Sequence, residues 1–423
     1  MQKTLQAYIA DKKKQNFLIY GLGQAFNLVT PVIVVPHIVK VCGEEGLGKI
    51  GYGFALALFL ILVVDYSFEI KGTKEVSENR HDPKLLARIF NTTLFSKLML
   101  FAAVAAIAFL LITTIPFFNR EGKLFGFSMA IVLAQVFNPI WYLQGLENYK
   151  AVSLINIFSK SLYLILIYLL INNHNDYVLV NLLLGLSALL FNLGGLIYLL
   201  TRHGIKVILP PVGQIMDILK ADFTFCVSQL FLSARQLSPL VLTGYFLGDF
   251  AAGQYKLIEQ VITLFRTFIQ VFLRYFYPLA CYKAQEGMVY GFNFWKRYSA
   301  VNLLLVSAGA VFLSFFPEEI LGFFNASQQT IRELSGLFRL ALIIPVLMAC
   351  SLPMEQLMFI MGRNKIYVRI AIFVTAVNIV AILILVKDYL VPGVIISLVV
   401  AEILFIILYF KNSCLHLSRK TEQ

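Results

Sequence analysis

Several charged side chains fall inside long apolar stretches of this sequence, where a charge is costly and is usually retained for a function. Basic residues outnumber acidic ones at these positions. The basic residues are Lys160, Arg235, Lys256, Arg266, Arg274 and Arg339, and the acidic residues are Glu259, Glu355 and Glu402. This surplus of positive charge predicts a site that binds an anion. Among the acids, Glu259 is the leading candidate for a group that couples the site to a proton or sodium gradient, ahead of Glu355 and Glu402.

The polar residues of segment 250–277 follow a helical spacing. They are Lys256, Glu259, Thr263, Arg266, Gln270 and Arg274, at intervals of three or four residues, which places them on one face of a helix. Such a face cannot contact lipid, so we expect it to line a cavity. The alternative is a set of buried ion pairs, such as Lys256 with Glu259, and an Arg274 that reaches the membrane surface. That alternative accounts poorly for Arg266, which has no nearby acid on its own helix.

Neutral polar residues lie at helical spacing on several other apolar segments. Each can join two helices by hydrogen bonds, but together they predict a wet interior. The candidates are Asn16, Gln24 and Asn27 in the first segment, Gln135, Asn138 and Tyr142 in the fourth, and Asn156, one turn before Lys160, in the fifth.

The elements that hold these residues are expected to be membrane helices. Of the 423 residues, 59% are hydrophobic and 14% are charged, whereas soluble domains are about 25% charged. The mean hydropathy of +0.79 likewise excludes soluble enzymes, disordered chains and disulfide scaffolds.

The net charge of +12 comes from basic residues in short loops, which is typical of cytoplasmic loops and predicts no nucleic-acid partner. The cysteines and histidines show neither metal-ligand nor catalytic spacing, so we expect no enzyme, metal or cofactor.

Apolar runs of about 20 residues, each long enough to cross a bilayer, predict an all-α polytopic membrane protein with about twelve transmembrane helices. The predicted spans are 16–39, 48–70, 93–115, 124–144, 150–171, 177–200, 218–244, 250–277, 296–316, 335–360, 366–386 and 391–411. Of the 35 lysines and arginines, 23 lie in segments on the side of the N-terminus and only six in the opposite loops. Both termini are therefore predicted to be cytoplasmic.

The loop at 201–217 divides the predicted spans into two six-helix bundles, 1–205 and 206–423. A weak internal similarity supports a duplication, because Gly43-Glu44 through Leu47-Gly48 aligns with Gly248-Asp249 through Ala252-Gly253. Two bundles in the same orientation form a parallel repeat, which is common among transporters that alternate access around a site at the middle of the membrane.

Two segments resemble motifs of a known family. Residues 64–77, VDYSFEIKGTKEVS, resemble the DYGF…GTREVS signature of polysaccharide-biosynthesis flippases, with Ser67 in place of the usual glycine. Residues 138–147, NPIWYLQGLE, are similar to the P.W.FQGLE segment of the same family. The chain thus resembles Wzx-type O-antigen flippases of the multidrug/oligosaccharidyl-lipid/polysaccharide (MOP) exporter superfamily, which implies a MATE-like fold.

This resemblance implies that the substrate is an oligosaccharide linked through pyrophosphate to undecaprenol. The substrate would move from the cytoplasmic to the periplasmic leaflet of the bacterial inner membrane, and a polysaccharide polymerase and a chain-length regulator would be partners. The pyrophosphate would be bound by Arg235, Lys256 and Arg266, together with Lys160 and Arg274. The sugars would be bound by Asn16, Gln24, Asn27, Gln135, Asn138, Tyr142 and Asn156.

Three other functions are compatible with parts of the sequence. A cation-coupled multidrug exporter of the same fold would require deep acids and few bases, the opposite of the pattern found. A lipid II flippase shares the basic cavity but usually has fourteen helices. A membrane enzyme such as an O-antigen polymerase or an acyltransferase would show a large external loop or a catalytic histidine, and we identify neither in the sequence.

Overall fold

The computed structural model describes the backbone from residue 2 to residue 421, and the side chains at 19, 21, 23 and 25–413 except 228, 232, 278, 285, 288 and 364. This described part of the chain is helical and contains no strand. The helices are α1 (Gln2–Asp65), α2 (Phe68–Glu78), α3 (Pro83–Thr114), α4 (Pro116–Arg120), α5 (Gly122–Val136), α6 (Ile140–Gly145), α7 (Tyr149–Leu170), α8 (Tyr177–His203), α9 (Val212–Leu247), α10 (Asp249–Glu286), α11 (Met288–Ser314), α12 (Pro317–Phe323), α13 (Gln328–Ala341), α14 (Ile343–Ile360) and α15 (Asn364–Thr421).

Within the described residues, eight helical segments are long and apolar enough to cross a membrane, as expected for a polytopic membrane protein. Two of them, Ala25–Glu78 and Lys365–Ser413, contain 54 and 49 residues, more than twice the about 20 residues of one crossing, and each covers two predicted spans. The helices α9 and α10 contain 36 and 38 residues and are not among these eight. The count of twelve spans therefore stays a prediction.

The long helix α1 is interrupted at Gly43, whose backbone has φ 71° and ψ 177°. Glycine adopts such a positive φ without a steric penalty. Gly248, immediately before α10, has nearly the same backbone, with φ 88° and ψ 178°. These two glycines begin the two segments that align in the sequence, so the aligned segments also share a backbone turn.

The chain forms two compact units. One unit comprises Met1–Cys42 and Lys49–Leu230, and the other comprises Gly43–Gly48 and Phe231–Gln423. Because the boundary at Leu230 falls inside α9, that helix contributes to both. The division at residue 205 into two six-helix bundles stays a prediction.

In the first unit, the two motifs that carry the family resemblance pack against each other. Gly72 of α2 lies against the ring of Trp141 in α6, and Gly145 lies against Val76. The Thr73 hydroxyl donates to the Trp141 carbonyl at 2.9 Å. A side chain at either glycine would collide with its neighbour, so the glycines allow α2 to approach α6 closely. Val76 and Trp141 also belong to a buried cluster formed with α3, α7 and α8.

In the second unit, α14 and α15 form a buried apolar cluster that includes Met358, Val374 and Phe405. The helices α10, α11 and α14 pack together beside it. This packing brings polar side chains of α9, α10, α14 and α15 into one cluster, described next.

Candidate functional site

The polar residues of α10 lie on one face of a continuous helix. Lys256, Glu259 and Arg266 are half-buried, whereas their neighbours Ile258 and Ile262 are buried in the apolar core. An unbroken α-helix places residues three and four apart on the same side. Arg274, at the far end of the face, is exposed.

Lys256 forms an ion pair within α10. Its ammonium lies 2.6 Å from a carboxylate oxygen of Glu259, and both side chains are largely buried, with 18% and 16% exposed. The alternative of a buried ion pair is therefore correct for these two residues. The charge of Lys256 is compensated on its own helix, which makes this residue a weaker phosphate ligand than the sequence suggested.

Arg235 of α9 lies among acidic and aromatic side chains of α14 and α15. Its guanidinium carbon is 4.5 Å from the centre of the Phe405 ring, a cation–π contact. Arg235 also interacts electrostatically with the carboxylates of Glu402 and Glu355. The acids that interact with Arg235 therefore lie on helices that are distant from it in the sequence.

The two acids near Arg235 also interact with hydroxyl side chains. The Ser351 hydroxyl donates to Glu402 at 2.5 Å, and Tyr367 lies close enough to Glu355 to interact with its carboxylate. Glu402 is only 4% exposed. Both carboxylates are thus held in place around Arg235, where gain or loss of a proton would change the charge next to its guanidinium.

Arg266 is the least compensated cation of this cluster. It is close enough to Arg235 for the two like charges to repel, and it attracts Glu259 and Glu402. Its buried Nε atom has no hydrogen-bond acceptor among the described residues. A buried donor of this kind is costly to leave unpaired, so an anion placed at Arg266 would gain a hydrogen bond and relieve the repulsion.

Within the described side chains of the first unit, Lys160, Asn156 and Asn27 are not joined to one another by a hydrogen bond or an ion pair. Lys160 and Asn156 lie one turn apart on α7, both half-buried, and Asn27 of α1 is half-buried as well. The Lys160 ammonium forms no ion pair within the described part of the chain. The side chains of Asn16 and Gln24 lie outside the described residues.

Three predicted sugar ligands are engaged inside the first unit. Gln135 donates to Asp65 at 2.6 Å, and Asn138 donates to Gln135 at 3.0 Å and accepts from the Ile140 amide. Tyr142 is fully buried and packs against aromatic rings of the core. The Tyr142 hydroxyl has no hydrogen-bond partner among the described residues, so its role as a sugar ligand stays a prediction.

The acid that binds Gln135 belongs to an ion pair that we did not predict. The Lys97 ammonium lies 2.6 Å from Asp65, and the Lys97 side chain is only 2% exposed. Lys97 lies inside the predicted span 93–115, but the sequence did not single it out as a site residue. A signal was nevertheless present, because Asp65 and Lys97 lie at corresponding ends of two successive predicted spans.

A second unpredicted acid, Asp222 of α9, also lies in the first unit. It accepts hydrogen bonds from Ser67 and Lys71, two residues of the motif that begins near the end of α1. Within the described residues, no group of three or more His, Cys, Asp or Glu side chains is arranged to hold a metal ion.

The chain is similar to two curated proteins named as candidate O-antigen transporters. One, from Escherichia coli (strain K12), is 19% identical over 63% of this chain and 64% of the relative, so the chain spans somewhat less than two thirds of its length. The other, from Shigella dysenteriae, is 23% identical over 94% of this chain and 99% of the relative.

Two solved structures share the fold. A multidrug resistance MATE family transporter of the MOP superfamily, in an inward-facing conformation, has a TM-score of 0.78 at 16% identity, over 95% of this chain and 96% of that one. The lipid II flippase MurJ, in an inward closed conformation, has a TM-score of 0.75 at 11% identity, over 94% and 87%. At these identities the similarity shows the fold alone.

The family model described as polysaccharide biosynthesis protein matches residues 14–280, more than half of the chain. These residues include both motifs that pack together at α2 and α6. The chain therefore belongs to the polysaccharide biosynthesis protein family, and it has the fold of the MOP superfamily.

Proposed function

We propose that this protein is a flippase that moves an undecaprenyl-pyrophosphate-linked oligosaccharide from the cytoplasmic to the periplasmic leaflet of the bacterial inner membrane. Membership of the polysaccharide biosynthesis family supports a saccharide substrate, and the names of the two curated relatives support an O-antigen repeat unit. The MOP fold supports transport by alternating access between two bundles, 1–205 and 206–423, with both termini in the cytoplasm.

The observation that carries this proposal is the pairing of Arg235 with Arg266. Two guanidinium groups near each other, one with a buried and unpaired Nε, suit a ligand with two adjacent phosphates. Arginine can hold phosphate through two parallel hydrogen bonds, which lysine cannot. Lys256, paired with Glu259, has an auxiliary role, and Lys160 and Arg274 act at the edges of the path.

Sugar hydroxyls need amide and hydroxyl partners along the same path. Asn27 and Asn156 are the best candidates, since both are half-buried and neither amide has an assigned partner among the described residues. Asn16 and Gln24 remain candidates from the sequence. The undecaprenyl chain stays in the surrounding lipid.

Coupling to a proton or sodium gradient is assigned to the acids around the arginines. The cluster contains three basic and three acidic residues, so it has no net charge when all six groups are ionised. The basic residues are Arg235, Lys256 and Arg266, and the acidic residues are Glu259, Glu355 and Glu402. A proton on Glu355 or Glu402 would give the cluster a net charge of +1 and leave Arg235 with one ionised carboxylate instead of two, which would favour the binding of a phosphate. After release in the periplasmic leaflet, the repeat unit would pass to a polysaccharide polymerase and a chain-length regulator.

The three carboxylates of the cluster favour one alternative, a cation-coupled multidrug exporter of the same fold. Such an exporter would bind its substrate through Glu259, Glu355 or Glu402 and would not need Arg266. Substitution of Arg266 therefore separates the two functions.

The test is complementation of a flippase-deficient strain with Arg266 variants. Arg266→Ala should insert normally but leave lipid-linked repeat units on the cytoplasmic leaflet. The loss of a charge-assisted contact of about 1.5–3 kcal/mol corresponds to binding weaker by about tenfold to a hundredfold. Arg266→Lys should retain part of the activity because the charge remains.

Arg339→Ala is the matched control, because Arg339 also lies in an apolar stretch but is exposed and donates to the Ser314 carbonyl. It should restore surface polysaccharide normally. Normal surface polysaccharide with Arg235→Ala and with Arg266→Ala would show that the two arginines do not bind the substrate.

A further inference from the structure

A groove opens on the surface of the first unit, where α3 begins and α8 ends. The linker 204–211, which connects α8 to α9, forms the third wall of the groove. The groove has a volume of about 630 Å³, within the range of about 300–1,000 Å³ typical of small-molecule sites. It shares no residue with the arginine cluster of the second unit.

The linker is held in a defined position against α3. Gly204 ends α8 with φ 60°, a left-handed conformation that favours glycine at this position. Ile205 is buried in the core. The buried amide of Asn91 then donates to the Lys206 carbonyl at 2.9 Å and accepts from the Ile208 amide at 3.1 Å. The buried side chain of Asn91 thus joins two walls of the groove, α3 and the linker. The groove is therefore part of the folded structure of the first unit.

The polar part of the groove is basic. Lys84 and Arg88 of α3 and Lys206 of the linker line it, together with His203, and none of the described residues that line it is acidic. The nearby Asp82 is engaged elsewhere, because its carboxylate caps α3 by accepting from the amides of Lys84 and Leu85 at 3.0 and 3.1 Å. The three long basic side chains are exposed, so they can turn toward an anion.

The rest of the groove is apolar and open. Ile208 and Leu209 are 62% and 67% exposed, and Pro211, which is also exposed, lines the groove beside them. Large aliphatic side chains this exposed, directly beside three cations, favour a ligand that has both a phosphate and a hydrocarbon part. A free phosphate would leave the aliphatic side chains in water.

We propose that this groove binds the headgroup of an anionic phospholipid of the cytoplasmic leaflet. Its phosphate would lie at Lys84, Arg88 and Lys206, and the first methylenes of its acyl chains at Ile208 and Leu209. Basic pockets at the cytoplasmic ends of transmembrane helices attract anionic headgroups in this way. The proposal rests on the predicted cytoplasmic position of segments 71–92 and 201–217, and not on the identity of the transported substrate.

The test is native mass spectrometry of the purified full-length protein titrated with phosphatidylglycerol. The variant Lys84→Gln/Arg88→Gln/Lys206→Gln should bind this lipid about a hundredfold more weakly, at about fivefold per basic residue near the membrane surface. The variant Lys150→Gln/Lys365→Gln/Lys411→Gln removes the same charge from exposed lysines outside the groove. It should bind phosphatidylglycerol as the wild type does.

Two further arms separate the possible sources of the phosphate. Zwitterionic phosphatidylethanolamine should bind more weakly than phosphatidylglycerol, and inorganic phosphate should not displace the bound lipid. Leu209→Gln, which keeps the charge, should also weaken lipid binding, so the proposal can be tested even if the triple variant is unstable. Wild-type affinity of the triple variant, an equal loss in the control, or displacement by inorganic phosphate would overturn the proposal.

Discussion

The buried and half-buried cations of this protein differ in how far their charge is compensated by nearby acids. Lys256 is paired with Glu259 at 2.6 Å, and Lys97 with Asp65 at the same distance. Arg266 lacks an acceptor for its buried Nε among the described residues. Of these three cations, Arg266 gains most from an incoming anion, whereas Lys97 is already committed to holding the first unit together.

We expect Lys97→Met to destabilise the protein strongly. The substitution would leave Asp65 buried with only Gln135 as a partner, and removing one member of a buried ion pair costs about 3–5 kcal/mol. The double variant Lys97→Met/Asp65→Leu should recover much of this loss, because neither charge then remains. The measurement is the free energy of unfolding in detergent for the two single variants and the double variant.

The control for this comparison of single and double variants is Lys74→Gln. Lys74 is paired with Glu78, but their side chains are 73% and 59% exposed, and such pairs contribute about 1 kcal/mol or less. Equal effects of Lys97→Met and Lys74→Gln would contradict a structural role for the buried pair.

At the scale of whole elements, the segment Gly43–Gly48 and the start of α10 lie very close together in the second unit. A Cβ atom at Gly48 would collide with the Asp249 carbonyl, and one at Gly253 would collide with the Glu44 carbonyl. The contact is reciprocal, because each segment offers a glycine to the backbone of the other. Glu44 also accepts from the Ser327 amide at 2.7 Å, which fixes the crossing to the start of α13.

Gly253→Ala should therefore separate the two segments and destabilise the second unit by about 1–3 kcal/mol, the usual cost of overpacking. Gly126→Ala is the matched control, since Gly126 is also helical but has no atom within 4 Å of an added Cβ. That change should be neutral or stabilising by up to about 1 kcal/mol. Thermal unfolding of both variants in detergent compares them, and a lower midpoint for Gly126→Ala than for Gly253→Ala would refute the tight crossing.

For the molecule as a whole, the unequal distribution of lysine and arginine predicts an orientation. Cysteines at Asn172 and Gln328 should react in intact cells with a reagent that does not cross the inner membrane, after the five native cysteines have been replaced. Cysteines at Lys74 and Arg202 should react only after lysis. All four positions are exposed, whereas Glu44, which is only 8% exposed, would be a poor reporter. Labelling of positions 74 and 202 in intact cells, without labelling of 172 and 328, would reverse the predicted topology.

The sequence by itself determined the features that depend on local periodicity and composition. Apolar runs specified membrane helices, and intervals of three and four residues placed Lys256, Glu259 and Arg266 on one face of α10, because an α-helix has a fixed number of residues per turn. The motifs at 64–77 and 138–147 were also sufficient to indicate the family.

Only the tertiary structure decided which residues each helix face contacts. Arg235 is compensated by Glu355 and Glu402 of α14 and α15, Lys97 is buried against Asp65, and the ring of Tyr142 is buried in the first unit. Helical periodicity shows which residues share a face but not which distant helix packs against that face. The partner depends on how whole helices fit together, and that fit is set by contacts between residues far apart in the chain.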